Sequence, residues 1–153
     1  MKKIFIILLG VFLFVSCQKD IKDYYNTDVI SKEFSREEIQ YNKNTIKIKN
    51  FVGEYTVYIF ETQEELNKLR EKIDNDMKVK GMKNVNPEKD SALYTNLDDY
   101  TLYYYELPEQ YLSKNTKGCI VSETEIKLGD SNFNHFIAEI KKIALTLLKS
   151  KNN

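Results

Sequence analysis

The chain has 153 residues with 23 Lys and Arg against 23 Asp and Glu, so no overall basic excess draws it to nucleic acid or another polyanion. Hydrophobic residues make up 42% and there are only 2 prolines and 5 glycines, which excludes a disordered or low-complexity chain and suits one modest core. Two cysteines and a single histidine leave too few ligands for the usual zinc site.

The first segment is an address. Lys2 and Lys3 precede an apolar run from Ile4 to Val15, then Ser16 and Cys17. This is the charged, hydrophobic and cleavage pattern of an export signal spanning residues 1–16. A helix of about twelve residues spans roughly 18 Å, well short of the roughly 30 Å hydrocarbon core, so a permanent transmembrane helix is the weaker reading.

Phe14-Val15-Ser16-Cys17 resembles the lipobox of bacterial lipoproteins, whose usual form is Leu, a small or aliphatic residue, Gly, Ala or Ser, then Cys. Val15 and Ser16 fit; Phe14 stands where Leu is favoured. The resemblance implies that the signal is removed and that Cys17 becomes the lipidated first residue of the mature chain. Two or three acyl chains give stable attachment where one gives marginal binding. Gln18 is not the Asp that retains enteric-type lipoproteins in the inner membrane. Gln18-Lys19-Asp20 partly matches the Lys-and-acid export tag of some Gram-negative surface lipoproteins, with Ile21 interrupting it. The implied location is the bacterial outer membrane, lipid-anchored, facing the cell surface or the periplasm.

Residues 17–26 are polar and charged and read as a lipidated tether, followed by a single domain over 27–153. Residues 29–41 are ambiguous: Ser35-Arg36-Glu37-Glu38 has the form of a helix cap, yet Ile39 and Tyr41 alternate like a strand. Ile46 and Ile48 alternate with Lys47 and Lys49, and after a break at 50–53 comes Tyr55-Thr56-Val57-Tyr58-Ile59-Phe60. These predict a hairpin whose second strand, apolar on both faces, lies inside the sheet. Thr62-Gln63-Glu64-Glu65 is a capping box, and Leu66, Leu69 and Ile73 form one apolar stripe, predicting a helix over 62–76.

Residues 75–99 are rich in Asn, Asp and Lys and read as a long loop. Asp74-Asn75-Asp76 and Asp98-Asp99 lack the Gly and distal Glu of a calcium loop, so no metal is assigned. Tyr100 to Leu107 predicts a strand carrying four tyrosines, with Tyr103 and Tyr105 on one face and Tyr100 and Tyr104 on the other. Tyrosine suits protein contacts and sugar stacking, although it also fills half-buried strands. Residues 119–128 predict a further strand or a pair of short ones.

The closing segment, 131–149, predicts a helix capped by Asp130 or Ser131 with a broad stripe from Phe133 to Leu148. His135 falls away from that stripe. Cys119, the only thiol left once Cys17 is lipidated, sits in an apolar run and reads as a small buried hydrophobe rather than a nucleophile.

The expected fold is α+β: a mostly antiparallel sheet of about four to six strands, covered on one side by the two amphipathic helices over 62–76 and 131–149. The expected function is non-enzymatic: an outer-membrane lipoprotein binding a protein or surface glycan, with lipidation at Cys17 and no catalytic residue, metal or cofactor. Two alternatives stand beside it. One is a surface-tethered hydrolase using two carboxylates, at least one with a raised pKa. The other is a toxin-neutralising, immunity-type envelope lipoprotein.

Overall fold

The computed structural model describes residues 19–96 and 100–152. The leader, Cys17 and Asp98-Asp99 lie outside the described residues. The α+β class holds, with an antiparallel sheet at its centre, but the sheet has seven strands rather than four to six. Their order across the sheet is β1 (Glu38–Tyr41), β2 (Thr45–Lys49), β3 (Glu54–Phe60), β7 (Lys117–Thr124), β6 (Thr101–Glu106), β5 (Ser91–Thr95) and β4 (Lys83–Asn84). The helices are α1 (Ile21–Tyr24), α2 (Thr27–Glu33), α3 (Gln63–Val79) and α4 (Ser131–Ser150), with a 3-10 turn at Glu109–Tyr111.

The two long helices do not share a side. In β3 the odd residues Tyr55, Val57 and Ile59 join a core with Phe136, Ile140, Ile143 and Leu147 of α4. The even residues Tyr58 and Phe60 join a second core with Leu66, Leu69, Ile73 and Met77 of α3. A strand buries both faces only when both are covered, so the unbroken apolar run of β3 calls for a helix layer on each side. The one-sided arrangement expected from the sequence is therefore corrected to helix, sheet, helix.

Local signals explain most of the elements. The capping box at α3 forms as read: Thr62 Oγ1 accepts from the Glu65 amide at 3.2 Å, and Glu65 Oε1 accepts from the Thr62 amide at 3.2 Å. The helix runs past residue 76 because Met77 extends the buried stripe. It stops where Gly81, at φ 75°, takes the left-handed conformation and the Met82 amide reaches back to Met77 O at 2.9 Å.

Two regions differ from expectation. The 75–99 stretch is not mainly a loop, since β4 and β5 pair there and carry the sheet to its far edge. Ser35-Arg36-Glu37-Glu38 starts no helix; α2 is capped upstream by Asn26, and the alternation of Ile39 and Tyr41 prevails to give β1.

The expected tether is also shorter. Ile21 and Tyr25 are fully buried, Tyr25 donates its hydroxyl to Tyr111 O at 3.0 Å, and the Ile21 amide bonds Lys43 O at 2.7 Å beside the β1–β2 turn. Among the described residues, packing thus extends back to Ile21 rather than starting at residue 27.

Candidate functional site

Strand β6 sorts its tyrosines by face as the alternation predicts, and the two faces differ in environment. On the α3 side Tyr104 is buried, donates to Glu106 Oε2 at 3.0 Å, and lies under the Arg70 guanidinium, 5.1 Å from the ring centroid. Tyr100 donates to Glu123 Oε1 at 3.0 Å. On the α4 side Tyr103 and Tyr105 are only half-buried, with centroids 6.4 Å apart and planes within 12° of parallel. Leu93 of β5 joins them at the margin of that core. Burial first, then Tyr111, Tyr103 and Asp90, holds the Tyr105 phenol above its ordinary value.

Helix α4 borders this surface. Its flank toward β1 and β2 is occupied: Asn50 of the β2–β3 hairpin donates to Glu139 at 3.0 Å, and Lys142 sits over the Phe34 ring at 4.8 Å. Ile137 and Leu148, three helical turns apart, fall on the opposite flank. They are 37% and 40% exposed, and Leu145 nearby is 43% exposed.

A second constellation lies on the α3 face. Glu54 of β3 and Glu123 of β7 are direct cross-strand partners. Glu54 also meets Lys47 Nζ at 3.7 Å. Glu123 is largely buried and its carboxyl is pushed up to about 7. Desolvation is the main cause and the Glu54 charge adds to it, against the Tyr100 hydrogen bond and the charges of Lys47 and Lys80.

An open cleft of about 410 Å³ lies between α3 and the β4–β5 region, lined by Asn67, Arg70, Glu71, Asp74, Asn84 and Tyr94. Most of its polar groups are committed to holding the fold. Arg70 donates to the carbonyls of Glu88 (2.7 Å) and Lys89, and Asn84 Oδ1 accepts from the amides of Asn86 and Leu93 at 3.2 Å. Asp74 accepts from Tyr94 at 2.7 Å and meets Lys78 at 2.9 Å. Those hydrogen bonds from Lys78 and Tyr94 keep its carboxyl below the ordinary range.

Cys119 is fully buried in the α3-side core, and desolvation pushes its thiol well above the ordinary value. His135 is exposed on α4, across the sheet, with its ring edge-on to Phe51 at 5.5 Å. The two therefore form no dyad. Among the described residues no group of three or more His, Cys, Asp or Glu side chains is placed to hold a metal, and no helix is long and apolar enough to cross a membrane. Cys17 and Asp98-Asp99 fall outside the described residues. Comparison with protein families, curated proteins and solved structures finds no match to this chain.

The Glu54–Glu123 pair is the feature missed in the sequence. Glu123 interrupting an otherwise strand-like run was a visible signal, but its partner depends on the β3–β7 register, which the two segments do not reveal separately.

Proposed function

We propose that the protein is a non-enzymatic binding module of the bacterial outer membrane, held there by lipid on Cys17, and that it docks a partner protein on the surface made by Tyr103, Tyr105, Leu93 and the free flank of α4. The observation that carries this reading is the half-open, parallel pair of Tyr103 and Tyr105, on the face opposite the hydrogen-bonded Tyr100 and Tyr104. A protein partner fits better than a glycan. Sugars stack on open ring faces, whereas these two half-buried rings lie nearly parallel with centroids 6.4 Å apart, and apolar Leu93 of β5 packs at the same margin. Tyrosines beside apolar side chains are characteristic of protein interfaces.

The test is a photo-crosslinking residue at Leu93 in intact cells. A discrete adduct is expected, reduced about tenfold or more when Tyr103 and Tyr105 are both replaced by Ala, given that an interface hot spot is worth about 2 kcal/mol or more. No adduct, or an undiminished one in the double variant, overturns the reading.

The hydrolase alternative has one observation in its favour, the Glu54–Glu123 pair with one carboxyl raised. It predicts glycan-cleaving activity that Glu123→Gln and Glu54→Gln each reduce by a hundredfold or so, in line with the loss of a general acid or nucleophile. A wild-type chain inert toward a broad glycan panel removes it.

A further inference from the structure

Glu54 and Glu123 form the end pair of the β3–β7 ladder, and their side chains leave the sheet on one face. Directly opposed Cβ atoms in an antiparallel ladder stand about 4.5–5.5 Å apart, so the two carboxyl groups are within reach of each other. Several charged or titratable groups face them. Lys47 of β2 lies 3.7 Å from Glu54, and Tyr100 ahead of β6 donates to Glu123 at 3.0 Å. Lys80 just past α3 acts on Glu123 from farther off, and Tyr58 along β3 feels both carboxylates. Lys47 bridges Glu54, and Tyr100 occupies one oxygen of Glu123. Like charges directly opposed in a ladder are destabilising, and here one of them is largely out of water.

The pair also sits where the β2–β3 hairpin tip meets the body. Gly53, next to Glu54, lies so close to β7 and α4 that a Cβ there would come within 2.7 Å of Glu123 O and 2.9 Å of Phe136. Asn50 Oδ1 accepts from the amides of Val52 and Gly53 at 3.0 and 3.1 Å, and Phe51, 79% exposed, stands at the tip. Any force that parts Glu54 from Glu123 therefore acts on the seat of this tip.

We propose that below neutral pH Glu54 and Glu123 share one proton, as a Glu123 O–H donated to the Glu54 carboxylate, and that this proton holds the hairpin tip on β7 and α4. The pair is a pH-responsive fastening, and its release loosens the segment that presents Phe51. The direction follows from linkage. A carboxyl raised in the closed state to about 7, against about 4.5 when free, stabilises that state fully below its free value. The stabilisation is lost as pH rises toward 7, and the dependence flattens above it.

Amide hydrogen exchange of the full chain in detergent at about pH 5 and about pH 7.5, corrected for intrinsic rate, tests this. The opening constant of amides 52–56 and 120–124 is expected to rise at least about tenfold, against a ceiling of tenfold per pH unit. In Glu123→Gln the amide can accept from Tyr100 and donate to Glu54 with no titrating proton, so the rise disappears. Site-resolved carboxyl titration of the wild-type chain gives a second readout, with a Glu123 midpoint above about 6 and a lower one in Glu54→Gln. A Glu123 midpoint in the ordinary carboxylate range, or the same rise in Glu123→Gln as in wild type, overturns the proposal.

Discussion

Phe136→Ala is expected to destabilise the fold by about 3–5 kcal/mol, the range for removing a fully buried aromatic ring without refilling its space. Phe136 has no exposed surface and joins three parts of the α4-side core. It stacks on Tyr55 of β3 at 5.5 Å, packs on Phe133 at 5.6 Å, and lies against Gly53 at the hairpin tip. Its backbone carbonyl also accepts the Tyr55 hydroxyl at 3.4 Å, a bond made at the same turn of α4. Truncation removes the ring on which hairpin, strand and helix converge. Against a typical total of 5–15 kcal/mol, that is a large part of the stability.

Urea denaturation is the measurement, read as a lower midpoint at unchanged slope. Phe136→Leu fills most of the space and should cost roughly half as much or less, in keeping with size-conserving core changes. A loss under about 1 kcal/mol for the alanine variant would falsify the central place given to this ring.

Much of this core was legible in the sequence because its periodicities are local. The α4 stripe, the α3 capping box and the facing of the β6 tyrosines each depend on spacing within one segment. The elements misjudged depend on partners far along the chain. β4 is only Lys83-Asn84 and β5 is a short run of five residues inside a polar stretch, so their strand character shows in pairing outward from β6 more than in their own pattern. Placing both helices on one side overlooked the meaning of β3: Tyr58 and Phe60 face away from Tyr55, Val57 and Ile59, and each set needs its own cover. Tyr24-Tyr25 reads as polar tether in isolation, but the Tyr25 hydroxyl finds its acceptor at Tyr111 on the far side of the sequence. The same dependence on register hid the Glu54–Glu123 pair, whereas the Tyr103 and Tyr105 surface was half-visible: alternation named the face, and only packing showed it to be the open one.

On the proposed lipid anchor, Cys17→Ser is expected to move the protein out of the membrane fraction and to abolish incorporation of a labelled acyl chain. The effect should be close to all-or-none, since each acyl chain contributes about 0.8 kcal/mol per buried CH₂ and the apolar run ahead of Cys17 is too short to span. Where the packed structure begins sharpens the expectation. With Ile21 in the core, only residues 18–20 separate Cys17 from the fold, and a fully extended link of that length reaches no more than about 14 Å. A lipid on Cys17 would thus hold the domain at headgroup level, with the β1–β2 turn beside the attachment point, instead of on a longer leash. Truncation separates anchoring from folding. A chain starting at Lys19 keeps Ile21, Tyr24 and Tyr25 and should fold without binding membranes, whereas one starting at Thr27 loses three buried side chains and should be strongly destabilised. Detergent-dependent membrane association of Cys17→Ser with its leader uncut would mean that the apolar run, not the cysteine, is the anchor.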